Sequence, residues 1–115
     1  MKVIWNEVVL AESDDTKMVE GNHYFPPESI NHEHFQPNEG HTVCPWKGLA
    51  SYYDIVVGDE VRRSGAWYYP DPSAAAAHIK DHVAFYTGRG LKVVNADAPQ
   101  GESILKRIAA AIKLN

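Results

Sequence analysis

The amino-acid sequence predicts a mainly β fold: a compact antiparallel structure with one short internal helix and a C-terminal helix. Short apolar runs alternate with turn residues through most of the chain, which is typical of strands joined by tight connections. Two stretches instead have helical composition, the alanine-rich SAAAAHIKDH at 73–82 and an amphipathic segment near the C-terminus. A chain of 115 residues is long enough for one core. We therefore expect one β-rich domain over residues 1–94, followed by a linker and an amphipathic helix over residues 95–115.

Composition and charge narrow the classes of partner. The net charge is −4 with acidic and basic residues interspersed, whereas nucleic acid and anionic membranes select basic surfaces. The apolar runs are far too short to cross a bilayer, and Glu7 and Glu12 interrupt the segment where a signal peptide needs an apolar core. A single cysteine forms no internal disulfide, which suits a reducing compartment. We therefore predict a cytoplasmic protein that binds neither nucleic acid nor membrane.

The first 40 residues are divided into short elements by turn residues. Apolar runs on both sides of Asn6-Glu7 predict a hairpin, and the next run predicts a third strand. Because proline is tolerated in the first turn of a helix, the double proline predicts a single helical turn. The expected elements are strands Lys2–Trp5, Val8–Glu12 and Thr16–Glu20, a strand ending at Tyr24-Phe25, a helical turn at Pro26–Ser29 and a loop at Gln36–Gly40.

The clearest hairpin lies at the centre of the chain, where GLASYYDIVV and EVRRSGAWYY flank Gly58-Asp59. Glycine at the first of two loop positions suits a type II′ turn. With a two-residue loop, each large ring faces a residue too small to compete for its space, and an acidic residue faces a basic one. The predicted pairs are Val57 with Glu60, Asp54 with Arg63, Tyr52 with Gly65, and Ala50 with Trp67.

The remaining elements follow from composition. Residues 73–82 predict a short helix with Ser73 as its N-cap, because serine caps helices well and alanine favours them. Closing strands are expected at Val83–Tyr86 and Leu91–Val94 around a glycine turn. Beyond them, Ile104–Leu114 predicts a helix with one apolar face, which we expect to dock on the sheet or on a second subunit. The residues of that face are Ile104, Leu105, Ile108 and Ile112.

Strand alternation places several aromatic residues and the cysteine on one side of the predicted sheet. Two interpretations stay open. The side chains form either an aromatic pocket with a thiol at its rim, or a packed core in which the thiol is a small apolar group. We expect the indoles of Trp46 and Trp67 to border one cavity within reach of Cys44. The predicted ligand-binding and thiol residues on this side are Cys44, Trp46, Tyr52, Trp67 and Tyr69, and His23 is predicted to join them as a ligand-binding residue.

The CPWK segment, Cys44 to Lys47, is the candidate for catalysis. A reactive thiol needs a nearby cation or a helix N-terminus to lower its pKa. Lys47 has the opposite parity to Cys44 in an extended strand, so activation would need a bend at Pro45 or a histidine from elsewhere, for which His23 is the candidate. Burying the Lys47 charge unpaired would be costly. We therefore expect Lys47 to reach solvent or, alternatively, to meet a carboxylate or an anionic ligand.

Metal and phosphate chemistry are not predicted. The chain has six histidines, including His32 and His34, but structural zinc normally uses paired cysteine or histidine half-sites and only one cysteine is present. No glycine-rich phosphate loop follows a strand. We therefore predict neither a metal nor a cofactor.

Several blocks of the sequence resemble one family of small bacterial proteins. They are YFP at 24–26, TVCPWKG at 42–48, ASYY at 50–53, AWYYP at 66–70 and VAFY at 83–86. Together these blocks resemble the family called domain of unknown function 427, over about residues 3–94. The resemblance implies a β-tent-like fold, similar to that of methionine sulfoxide reductase B and the thalidomide-binding domain of cereblon. Those relatives carry zinc on CxxC pairs that this chain lacks, while some use a tryptophan cage for small ligands, to which Trp46 and Trp67 are similar.

Three functions remain open at the level of sequence. The first is a small-molecule-binding domain with an aromatic pocket, either with or without catalysis. The second is a protein-interaction module, with a homodimer formed through the C-terminal helix. The third is a thiol-dependent enzyme that uses Cys44 and Lys47. The resemblance brings no established activity.

Overall fold

The computed structural model describes residues 1–96, in which nine strands form three antiparallel sheets. The expectation of a mainly antiparallel β fold is confirmed. The predicted C-terminal helix and nearly all of the predicted linker lie outside the described residues. The strands are β1 (Lys2–Trp5), β2 (Val8–Glu12), β3 (Lys17–Val19), β4 (Asn22–Tyr24), β5 (Phe35–Cys44), β6 (Gly48–Val57), β7 (Glu60–Tyr68), β8 (Val83–Phe85) and β9 (Lys92–Val94).

Most neighbouring strands within the sheets are consecutive in sequence and are joined by turns. One sheet has the order β2-β1-β9, a second is the β3-β4 hairpin, and the third has the order β5-β6-β7-β8. The predicted hairpin of β1 and β2 is confirmed, and Asn6 and Glu7 in its turn both have positive φ. Within residues 1–96 no helix has the length and apolar content that a bilayer crossing needs.

Two hydrophobic clusters cover opposite faces of the four-stranded sheet. Consecutive side chains of a strand point to opposite faces, so Ala66 belongs to one cluster and Trp67 to the other. The first cluster joins the sheet to β1 and β2, and includes Val3, Trp5, Leu10, Phe25, Phe35, Ile55 and Phe85. The second contains Val19, Tyr24, Ala50, Trp67, Tyr69, Ala76, Ile79 and Ala84.

The prediction of a loop at Gln36–Gly40 is wrong, because these residues belong to β5. The ladder between β5 and β6 is interrupted between Pro37 and His41 and resumes on the other side. A bulge absorbs the proline and glycine, which otherwise disfavour regular strands. The side chain of Asn38 accepts a bond from the Gly40 N–H at 2.8 Å, so the local turn chemistry that suggested a loop operates within the strand.

The register of the β6–β7 hairpin is partly as predicted. The turn and the Val57–Glu60 pair are confirmed, and Gly58 has the positive φ of +58° that its position requires. Farther along, the ladder shifts by two residues, so the predicted pairs of Tyr52 with Gly65 and of Ala50 with Trp67 are wrong. Tyr52 instead lies opposite Trp67. Since a shift of two residues keeps the alternation, the predicted faces survive the change of register.

The shift is caused by a bulge around Ser64, which has a left-handed φ of +51°. Asp54 holds the bulge, because its Oδ1 accepts the Ser64 N–H and the Asn38 amide, each at 2.8 Å. Asp54 does not form the predicted ladder pair with Arg63, although Oδ2 lies 3.9 Å from Arg63 Nη1. The Ser64 N–H holds the pKa of Asp54 below its usual range, with Asn38 and Arg63 adding to the effect and partial burial opposing it.

The internal helix is present but differs in type from the prediction. Residues Ala74–Ile79 form 3₁₀ turns rather than one α-helix through His82, and Ala76 interrupts the helical dihedrals. Two further 3₁₀ turns lie at Pro27–Ser29, where a helical turn is predicted, and at His32–His34. The closing strands β8 and β9 agree with the prediction.

Candidate functional site

The CPWK segment forms the tight turn that connects β5 to β6. The last ladder pair joins Cys44 to Gly48, so the chain reverses over the three residues between them. Pro45 lacks a backbone donor and ends the ladder, as predicted. Gly48 has a φ of +118°, and a Cβ there would lie 3.4 Å from the carbonyl oxygen of Asp71. Only glycine fits this position without strain. We call Cys44 to Lys47 the CPWK corner.

Ser73 fixes the CPWK corner to the segment before the 3₁₀ turns. Its N–H donates to the carbonyl oxygen of Lys47 at 2.9 Å, and its hydroxyl donates to the carbonyl oxygen of Trp46 at 2.5 Å. The predicted role of Ser73 as a helix N-cap is therefore wrong, since its side chain makes no capping bond. The hydroxyl bonds a neighbouring turn instead of its own helix.

Lys47 is buried, with 4% of its surface exposed, so the expectation that it reaches solvent is wrong. The alternative, a carboxylate partner, is present: the ammonium forms an ion pair with Glu20. Two rings flank the cation, with centroids 4.9 Å (Trp46) and 5.7 Å (Tyr69) from Nζ. Burial lowers the pKa of Lys47, but the bonds to Glu20 and Cys44 outweigh it and raise the pKa above its ordinary value.

Glu20 is a site residue that the sequence analysis missed. It lies in the two-residue turn between β3 and β4, where both Glu20 and Gly21 have positive φ. This turn directs its carboxylate to the CPWK corner, where it also accepts the Trp46 indole N–H at 3.1 Å. The bond from Lys47, followed by that from Trp46, lowers the pKa of Glu20. The side chain itself is half exposed, so the ion pair joins a buried cation to an accessible anion.

Cys44 is half-buried next to this ion pair. Burial raises the pKa of its thiol. The backbone N–H groups of Lys47 and Trp46, together with the Lys47 ammonium, lower that pKa by more than burial raises it, so the net pKa lies below its ordinary value. The bend at Pro45 that activation of the thiol requires is therefore present, and it brings Lys47 to the sulfur despite its opposite parity in sequence. His41 instead directs Nδ1 to the carbonyl oxygen of Ala50 at 3.3 Å.

The aromatic residues form a wall beside the corner, and most of them are buried. Trp67 donates its indole N–H to the Tyr24 hydroxyl at 3.1 Å, with the rings edge to face. Tyr69 is 4% exposed, and burial raises its pKa to about 12. Tyr52 shares a 2.7 Å hydroxyl bond with Thr42. Trp67 and Tyr69 are thus part of a hydrophobic core, in agreement with the interpretation of these rings as a packed core, whereas Trp46 is 41% exposed.

The structure gathers most of the predicted site residues but not His23. Cys44 and Tyr52 pack against the cluster that holds Trp67 and Tyr69. His23 lies one residue before Tyr24 on β4, so it points to the other face of that strand, where its Nδ1 is 3.0 Å from the Thr16 hydroxyl. A cavity shared by the two indoles stays a prediction. Tyr24, which accepts the Trp67 bond, is not among the predicted site residues. Its position beside Phe25 at the end of a predicted strand is the signal that could have indicated it.

Within the described part of the chain, no group of three or more histidine, cysteine, aspartate or glutamate side chains is arranged to hold a metal ion. Together these features define a small antiparallel β domain with a thiol, a buried ammonium and an aromatic wall at one corner. The chain belongs to the family described as domain of unknown function DUF427, whose sequence model matches residues 1–96. The comparison with curated proteins found no match.

Proposed function

We propose that this protein is a small-molecule-binding domain whose ligand docks at the CPWK corner, with an anionic group on the Lys47 ammonium. The observation that carries the proposal is the asymmetry of the Lys47–Glu20 pair. The side chain of Lys47 is 5% exposed and that of Glu20 is 52% exposed. A buried cation needs an anion, and an accessible carboxylate on a turn can be displaced by the carboxylate of a ligand.

The surroundings of the ammonium suit a ligand with a flat apolar body. Trp46 covers the cation and keeps 41% of its surface exposed, so its ring is available for stacking. The indole N–H of Trp46, which donates to Glu20, would donate equally to a carboxylate in the same place. An aromatic or heteroaromatic carboxylic acid combines the two chemical requirements of this site.

Replacement of Glu20 by glutamine tests this function, since it removes the internal competitor. We expect the melting temperature of Glu20→Gln to fall, because Lys47 loses its charged partner, and to recover with indole-3-acetate more than that of the wild-type protein does. Indole-3-acetamide, the neutral analogue, should have no such effect. Glu7→Gln is a matched control, since Glu7 is also an exposed carboxylate with positive φ in a two-residue hairpin turn. Equal stabilisation by acid and amide, or by acid in Lys47→Met as well, would contradict the proposal.

A second candidate function, thiol-dependent catalysis, is favoured by the lowered pKa of Cys44. The thiolate is the nucleophilic form, and its fraction at neutral pH rises as the pKa falls. Cys44 would be the nucleophile, and Lys47 the cation that stabilises its thiolate. The proposed role of the C-terminal helix in protein interaction concerns residues outside the described part of the chain and stays a prediction.

The alkylation rate of Cys44 by iodoacetamide, measured across pH, tests the thiol hypothesis. We expect the rate to rise with a midpoint below about 8.5, the ordinary pKa of a cysteine thiol. Lys47→Met should move the midpoint upward, because the thiolate loses its neighbouring cation. Lys80→Met, which removes an exposed ammonium elsewhere, should leave it unchanged. A midpoint that is the same in Lys47→Met and the wild-type protein would show that the ammonium does not act on the sulfur.

A further inference from the structure

A groove of about 640 Å³ lies away from the CPWK corner, at the start of β7. It is lined by Arg62, Arg63 and Arg89, with Asn6, Ser64 and Glu60 among the other lining residues. These are all the arginines in residues 1–96. We call it the arginine groove. Three cations against one carboxylate give it a positive charge, in a protein whose net charge is −4.

The bulge at Ser64 directly follows the two consecutive arginines that line the groove. Arg62 still pairs with Ile55 in the ladder between β6 and β7, and the ladder becomes irregular beyond it. Ser64 and Gly65, the next two residues, also line the groove. The irregular part of β7 therefore forms one side of the groove.

Arg62 is anchored in the wall of the groove. Its Nη2 donates to the carbonyl oxygens of Tyr86 at 2.9 Å and Thr87 at 3.4 Å, which fixes the guanidinium group. Its Nε is buried and has no hydrogen-bond partner within residues 1–96. A buried donor without a partner is destabilising, because its bonds to water are lost on folding and not replaced. No carboxylate forms an ion pair with Arg62 among the described residues, so an anion in the groove would stabilise this cation.

The other two arginines supply accessible charge. The Arg63 side chain is 83% exposed, and its Nη1 lies 3.9 Å from Asp54 Oδ2, a long contact. The other oxygen of that carboxylate accepts the bonds from Ser64 and Asn38. Arg89 is exposed, and its backbone is positioned by the Trp5 indole N–H, which donates to the Arg89 carbonyl oxygen at 3.3 Å. Two exposed arginine side chains therefore line the groove together with a third that is fixed.

We propose that the arginine groove binds the phosphate group of a small molecule. Guanidinium groups present paired donors that match phosphate oxygens, and a phosphate ester carries more negative charge than a single carboxylate. The volume lies in the range of small-molecule sites and exceeds what inorganic phosphate alone would fill. The site is separate from the CPWK corner and does not depend on the function proposed there.

Titration of the full-length protein with ribose 5-phosphate, followed by amide NMR, tests this assignment. We expect saturable shifts centred on Asn6, Ser64 and Gly65, with ribose, the neutral analogue, and acetate, a carboxylate, producing none. The double variant Arg63→Gln/Arg89→Gln should weaken binding at least tenfold. Both side chains are exposed, so this variant should keep the wild-type melting temperature.

The control removes the same charge elsewhere, with Lys17→Gln/Lys80→Gln, and should bind within twofold of the wild-type protein. Three results would overturn the proposal: equal loss of affinity in the control, shifts that centre on the CPWK corner, or equal binding of acetate. The first would indicate attraction by net charge alone, the second a different site, and the third a site without preference for phosphate.

Discussion

Replacing Phe25 by alanine is expected to lower the free energy of unfolding by about 3–5 kcal/mol, as is typical when a large ring is removed from a core. Phe25 is fully buried and packs edge to face on Phe85, with ring centroids 5.7 Å apart. Its backbone exchanges two hydrogen bonds with Val83, each 2.8 Å long, so the cavity would open where β4 meets β8. Urea denaturation followed by tryptophan fluorescence measures the loss.

Two further variants show whether burial is the cause. Phe25→Leu keeps most of the apolar volume and should cost less than Phe25→Ala. Val43→Ala removes apolar atoms from a side chain that is 76% exposed, and should change the stability by no more than about 0.5 kcal/mol. If Phe25→Ala cost no more than Val43→Ala, Phe25 could not hold the central place in the core that its contacts indicate.

Replacing Asp54 by alanine is expected to cost about 2 kcal/mol, because it leaves the Ser64 N–H and the Asn38 amide without their acceptor. The Asp54 side chain is 16% exposed, so water replaces the lost acceptor only in part. Asp59→Ala, which changes an exposed carboxylate in the turn of the same hairpin, is the control and should be nearly neutral. An equal effect of the two substitutions would contradict the role assigned to Asp54 in the bulge.

The contribution of Asp54 should depend on pH in a defined direction. Its folded-state pKa lies below the unfolded value of about 3.9, so its stabilisation is complete above that value and is lost as the pH falls through the folded pKa. The difference in unfolding free energy between the wild-type protein and Asp54→Ala should therefore shrink between pH 7 and pH 2. A difference that stays constant over this range would mean that charge does not contribute.

The fold could be predicted from the sequence wherever local chemistry determines the structure. The hairpin around Gly58-Asp59 was found because a two-residue turn with glycine first fixes the adjoining pairs. The register beyond it was not, because the bulge depends on Asn38, which reaches across from β5 to Asp54 and Ser64. No sequence pattern within β6 and β7 indicates this contact with β5.

The candidate site could be predicted only in part for the same reason. Alternation along the strands correctly grouped Cys44 and Tyr52 with the buried rings of Trp67 and Tyr69. The partner of Lys47 was not identified, because Glu20 lies in a separate hairpin whose placement on the β5–β6 turn is a matter of tertiary packing. The expectation that Lys47 reaches solvent was therefore wrong, and the alternative, a carboxylate partner, is the one present.

The two attachments of the CPWK corner have a consequence for the order of folding. Glu20 is 27 residues before Lys47, and Ser73 is 27 residues after Trp46, so both attachments close long stretches of chain. Each attachment forms only after the chain between its ends has closed, which costs entropy. We therefore expect the surroundings that lower the pKa of Cys44 to be complete only when the three segments have assembled. The reactivity of that thiol should report this assembly, and it can be followed by pulsed alkylation during refolding.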